Sequence, residues 1–128
     1  MKKQILIIDD DLTMTTLLEF FLGDEYKVSS VTSGRNALEW LNRFMPDLII
    51  SDIQMSEMNG FELLKSIRLR GYSKHTPVIM LSVNSESKER VKCYQLGAQD
   101  YLTKPFNPEE LNELVKKNLN PIHYVKEW

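Results

Sequence analysis

Three stretches of this chain are apolar without interruption, and each runs straight into a polar side chain. Ile5-Leu6-Ile7-Ile8 leads into Asp9, Leu48-Ile49-Ile50 into Ser51-Asp52, and Val78-Ile79-Met80-Leu81 into Ser82. A strand with one face in water alternates apolar and polar residues, whereas a run apolar at every position suits a strand covered on both faces, as in a parallel sheet flanked by helices. Val28 to Val31 and Asp100 to Leu102 are shorter and more polar, and suit the edges of the same sheet.

Between these runs lie segments with helical spacing, at residues 12 to 22, 35 to 44, 60 to 70 and 86 to 96, with a last helix beginning near Pro108. In that last helix Leu111, Leu114, Val115 and Leu119 fall on one stripe. Its start is marked by Asn107 as a cap, Pro108 at the first helical position and Glu110 to complete a capping box. Strand and helix alternate five times, and right-handed crossovers then give a doubly wound, five-stranded parallel sheet in the order 2-1-3-4-5, the flavodoxin-like α/β arrangement. The expected domain spans residues 1–120. Residues 121–128 form a tail that reads as a helix extension or the start of a linker. Asn120-Pro121 is expected to end or kink the last helix, and His123, Tyr124, Val125 and Trp128 are candidates for docking or dimer packing.

The chain of 128 residues is the size of one domain with a real core, and its 42% hydrophobic and 27% charged residues are those of a globular protein. The basic start, Met1-Lys2-Lys3-Gln4, precedes only four apolar residues, too few for a signal peptide or a membrane span, so a cytoplasmic location is expected. The single Cys93 excludes an internal disulfide and has no metal-ligand spacing around it; it reads as a small core residue. A net charge of -2 without a Lys/Arg run argues against a nucleic-acid surface and points to a protein partner.

In open parallel sheets, ligands bind at the carboxyl ends of the strands near the point where strand order reverses. Here the first strand ends in Asp9-Asp10-Asp11, the third in Ser51-Asp52, the fourth in Ser82, and the fifth is followed by Thr103-Lys104-Pro105. Several carboxylates on one rim raise one another's pKa unless a cation compensates. An all-oxygen set without His or Cys favours magnesium, with manganese able to substitute. A cation, a lysine and a hydroxyl among carboxylates make a site for phosphoryl chemistry. Asp11 alone reads as a helix N-cap. Asp52 alone would read as a turn residue and Lys104 alone as a solvated surface charge; their joint placement on one rim is what distinguishes them.

The chain resembles the receiver domain of two-component response regulators over about residues 3 to 120. The resemblance rests on Leu6-Ile7-Ile8-Asp9-Asp10-Asp11, on Pro46 to Met55 with Met58-Asn59-Gly60, and on Gly97-Ala98-Gln99-Asp100-Tyr101-Leu102-Thr103-Lys104-Pro105-Phe106. It implies that Asp52 takes a phosphoryl group from a phosphohistidine on a histidine kinase or phosphotransfer protein. It also implies a magnesium site of Asp10, Asp52 and the backbone carbonyl of Gln54, with Asp9 acting through water. Lys104 would pair with the phosphoryl oxygens, its bond to Pro105 being cis. Ser82 would be the switch hydroxyl and Tyr101 the switch aromatic, turning inward as Ser82 moves. Together they would alter the face of the fourth helix, fifth strand and fifth helix, roughly residues 84 to 120, that a downstream protein or output domain reads. Phosphorylation-dependent homodimerisation is one form such a readout takes.

Departures from the family pattern fall beside the site. Val83 follows the switch serine where the family usually has a very small residue, and is expected to slow attack by water. Gln54 and Asn84 stand where the family tunes the lifetime of the phosphorylated state, and neither amide is a general acid or base. Ser56 replaces a common proline. A magnesium-dependent phosphatase of the haloacid dehalogenase class would use similar parts, but it needs a second aspartate where Gln54 stands, and no cap segment is present. A flavodoxin-type carrier would need a phosphate-cradling loop where the chain has three acids. Stoichiometric labelling rather than turnover is therefore expected.

Overall fold

In a computed structural model, which describes residues 1–120, five parallel strands form one sheet in the order β2-β1-β3-β4-β5. The strands are β1 (Gln4–Ile8), β2 (Lys27–Val31), β3 (Leu48–Asp52), β4 (Val78–Ser82) and β5 (Asp100–Thr103). They alternate with α1 (Leu12–Leu22), α2 (Gly34–Leu41), α3 (Gly60–Leu69), α4 (Ser87–Gln95) and α5 (Pro108–Leu119). The expected order and the two edge strands are both present. The proposed roles of residues 121–128 lie outside the described residues.

The uninterrupted apolar runs are two alternations laid over one another. From β1, Leu6 and Ile8 enter one core with Ile49 of β3 and Met80 of β4, packed against Leu41, Leu63, Leu64, Ile67 and Cys93 from α2, α3 and α4. Ile5 and Ile7 enter the other core with Leu48, Ile50, Ile79 and Leu81, packed against Leu18 and Leu22 of α1 and Leu111 and Val115 of α5. Each fully buried leucine or isoleucine contributes about 1.5–3 kcal/mol by leaving water, so the central strands are the least replaceable part of the chain. Cys93 lies within the first core, and burial, with Glu89 adding, pushes its thiol up to about 11. It is the inert core thiol that the sequence implies.

Two details differ from the sequence reading, the end of the second helix and the place of the complete capping box. The second helix stops at Leu41 rather than continuing to residue 44. Beyond Leu41 there is no core left to cover, since Phe44 and Met45 are exposed, and Pro46 disfavours helix just before itself. The strands β3 and β4 end in Ser51-Asp52 and in Ser82, as expected, and these polar residues are the last rungs of the ladder. At α5 the Asn107 side chain accepts from the backbone N–H of Glu109 and Glu110, while the complete capping box sits at α3, between Asn59 and Glu62. Asp11 caps α1 through the Thr13 N–H, as expected.

Among the described residues no helix is long and apolar enough to cross a membrane.

Candidate functional site

The carboxyl ends of β1, β3, β4 and β5 bring the predicted polar residues to one rim. Asp9 follows β1 and is buried, Asp52 closes β3 and is buried, and Asp10 is exposed beside them. One oxygen from each of Asp9, Asp10 and Asp52 lies within 4.8 Å of the others, a spacing that a single cation can bridge. The backbone fixes Asp52 tightly. It pairs with Leu81 in the ladder, and Ile53, the next residue, donates its N–H to the Leu81 carbonyl and accepts from the Gly60 N–H. A Cβ at Gly60 would come within 2.6 Å of the Asp52 carbonyl and 2.7 Å of Ile53 Cα, so only glycine lets the first turn of α3 close against the end of this strand.

Lys104 reaches into the acids from β5. Its Nζ donates to Asp9 Oδ2 at 3.1 Å and to Asp52 Oδ1 at 3.0 Å, its backbone N–H donates to the Ser82 carbonyl, and its bond to Pro105 is cis. Burial by itself lowers the Lys104 pKa, but the bonds to Asp52 and Asp9 outweigh it and hold the ammonium above its usual range. Asp52 is nevertheless pushed above the usual carboxylate range, first by burial, with the charges of Asp9 and Asp10 adding and Lys104 opposing. One lysine therefore does not neutralise the rim. Three oxygen donors without nitrogen or sulfur, incompletely neutralised, fit a hard divalent cation. Asp9 is already occupied, its Oδ1 accepting from the Asp11 N–H and its Oδ2 from Lys104, whereas Asp10 stands open to solvent.

Ser82 is fully buried, and its hydroxyl engages groups other than Asp52. It donates to Glu89 Oε2 at 2.7 Å, lies 3.3 Å from the Gln54 amide, and accepts from the Asn84 N–H at 3.0 Å. Tyr101 already sits inward, 8% exposed, with its hydroxyl bonded to the Asn84 carbonyl and Glu89 Oε2 and with Arg90 over its ring. Burial first, then the Glu89 carboxylate, pushes the Tyr101 hydroxyl up to about 12. The side-chain oxygen of Asn84 accepts from the Glu86 N–H, and this residue meets Ser82 and Tyr101 through its backbone N–H and carbonyl. Val83 is 68% exposed at the rim.

The residue that the sequence reading missed is Glu89, on α4, which joins Ser82, Tyr101 and Gln54. Nothing local announces it. An acid on a polar helix is ordinarily a solvated charge, and its partners come from three other elements. Along α1, by contrast, Leu12, Leu17 and Phe20 form an exposed apolar strip that begins directly after the acid triplet.

Comparison with known proteins agrees with this geometry. The family model of the response regulator receiver domain matches residues 5–116. The chain is 38% identical to the alkaline phosphatase synthesis transcriptional regulatory protein PhoP of Bacillus subtilis, over 91% of this chain and 48% of that protein. It spans about half the length of most of the curated relatives it matches. Among solved structures, the chemotaxis response regulator CheY4 of Vibrio cholerae superimposes with a TM-score of 0.88 at 32% identity, covering 93% of this chain and all of that one. The receiver domain of the sensor histidine kinase PA1611 of Pseudomonas aeruginosa, whose structure has a magnesium ion coordinated in its active site cleft, superimposes with a TM-score of 0.85 at 28% identity, covering 93% and 98% of the two chains. No such relationship supports the phosphatase alternative, and Gln54 lacks the acid that it needs. The fold, the acidic rim and the match over nearly all the described residues together make this chain a member of the response regulator receiver domains of two-component phosphorelay signalling.

Proposed function

We propose that Asp52 is the phosphoacceptor of a signalling module, taking its phosphoryl group from a phosphohistidine on a histidine kinase or phosphotransfer protein. The observation that carries this reading is the Lys104 ammonium held between the Asp52 and Asp9 carboxylates, with Asp10 open beside them. Asp52 Oδ would attack phosphorus, forming an O–P bond as the N–P bond breaks and its electron pair returns to the imidazole nitrogen. Lys104 is placed to pair with the phosphoryl oxygens as charge develops. Asp10, Asp52 and the Gln54 carbonyl would hold magnesium, or manganese in its stead, with Asp9 acting through water; the ion supplies charge neutralisation of the acids and the transferring group.

Ser82 is the switch hydroxyl in this reading and Tyr101 the switch aromatic. A phosphoryl group on Asp52 offers new acceptor oxygens for the Ser82 proton, and the α4-β5-α5 face shifts as that bond is exchanged. A downstream protein or an output domain reads the face, with homodimerisation on phosphorylation as one form of readout. The apolar strip of α1 beside the rim suits the docking of the phosphodonor. Gln54, Val83 and Asn84 set the lifetime of the acyl phosphate. The module spans residues 1–120, with 121–128 as tail or linker, makes no nucleic-acid contact itself, works in the cytoplasm and labels stoichiometrically without substrate turnover.

The test is incubation with magnesium and acetyl phosphate, followed by intact mass. One phosphoryl group per chain is expected, lost in Asp52→Asn and when magnesium is chelated. Labelling that persists in Asp52→Asn would overturn the assignment.

A further inference from the structure

Glu89 is a carboxylate with three claims on it, from β4, from β5 and from the loop after β3. Its Oε2 accepts from the Ser82 hydroxyl of β4 at 2.7 Å and from the Tyr101 hydroxyl of β5, and its Oε1 accepts from the Gln54 amide, just after β3, at 3.3 Å. The Ser82 hydroxyl has a single proton. That proton goes to Glu89 or the Gln54 oxygen here and not to Asp52, while the hydroxyl oxygen accepts from the Asn84 N–H.

α4 itself is thinly anchored. It buries only Cys93 and has no side-chain hydrogen bond at its N-cap, whereas α3 buries four residues under a complete capping box and α5 buries three. The bonds from Glu89, with Arg90 packed over the Tyr101 ring, therefore make up much of what ties this helix to the sheet.

We propose that Glu89 is a positioning residue that holds the Ser82 proton away from Asp52, so that modification of Asp52 must outbid the Glu89 carboxylate and in doing so loosens α4. This rests on the reading of Asp52 as phosphoacceptor. The competition is between two anionic acceptors for one hydroxyl proton, and removing the resident acceptor frees the serine for the incoming one. Tyr101 loses an acceptor by the same change, and keeps the Asn84 carbonyl.

The test measures affinity for beryllofluoride in the presence of magnesium, by calorimetry, in wild type, Glu89→Ala, Ser82→Ala and the double variant, with thermal melts of each. Glu89→Ala should bind about tenfold more tightly than wild type, the size expected for removing a charged competitor for one hydrogen bond. In the Ser82→Ala background the Glu89 substitution should change nothing. Glu89→Gln, which keeps the size and a weaker acceptor, should move in the same direction by less, and carries the test if Glu89→Ala does not fold. Unchanged affinity in both Glu89 variants overturns the proposal. So does a gain that survives Ser82→Ala, since that would be mere removal of a negative charge near an anion. If wild type itself binds no beryllofluoride, or Asp52→Asn binds it equally, the phosphoacceptor reading fails and takes this one with it.

Discussion

Two cations lie half-buried at opposite ends of the sheet and are held in contrasting ways. At the carboxyl end Lys104 sits between two carboxylates. At the amino end Arg68, near the close of α3, donates to the carbonyls of Gly97, Ser73 and Thr76 and to the side chain of Gln99, all neutral oxygens. No carboxylate among the described residues forms an ion pair with it, and burial lowers its pKa. The planar fork of guanidinium fastens the loops before β4 and β5 to α3, and Gly97, at φ +102°, leaves room for it: a Cβ there would lie 2.8 Å from Arg68 Nε. In the proposed function the charge at one end exchanges with ions and phosphoryl groups; at the other it serves as a fixed bracket.

Four substitutions probe that contrast. Lys104→Met should cut phosphorylation by acetyl phosphate about a hundredfold or more, the cost typical of losing one preorganised charged donor. It should also lower the melting temperature in chelator, with added magnesium restoring much of the loss because the ion supplies the missing positive charge. Arg68→Met should cost about 2–4 kcal/mol in urea unfolding, by stranding buried carbonyls. Magnesium should not restore that loss, and a Lys104→Met deficit equally indifferent to magnesium would erase the distinction between the two ends.

Asp52→Asn should raise the stability of the metal-free protein by less than either of those losses. The folded pKa of Asp52 lies above its unfolded value, so its favourable contribution is present below about 3.8 and fades as pH rises through the folded value. The advantage of asparagine is thus greatest at neutral pH and vanishes in acid; an advantage that grew on acidification would contradict the sign. Smallest of all, Glu57 adopts φ 66° in the loop after β3, a left-handed conformation, so Glu57→Gly should add up to about 1 kcal/mol in the same unfolding assay.

The two ends were unequally legible in the sequence. Asp9, Asp10 and Asp52 could be read because they adjoin strand ends whose apolar runs are unmistakable, Lys104 because it directly follows the fifth strand, and strand ends on one side of a parallel sheet converge by topology. Arg68 and Glu89 could not, because each sits on a helix and finds its partners on other elements, at separations from 5 to 35 residues that hydrophobic periodicity does not encode. The end of α2 was misjudged for a related reason. Trp40 and Phe44 continue the helical spacing, but they pack against each other at the surface, with ring centroids 4.9 Å apart. The box expected at Asn107 and Glu110 has the right residues, yet the reciprocal arrangement is completed at Asn59 and Glu62, where α3 begins beside the end of β3.

Because Asp52 is itself a rung of the ladder, paired with Leu81, the backbone that carries the carboxylate has almost no freedom to retreat from whatever is attached to it. New bulk must be absorbed by neighbours on the helical side, and the strands can stay as they are. Anyone transplanting this module onto a different effector would then have wide latitude in the outer surfaces of α4 and α5, and nearly none in the three central strands.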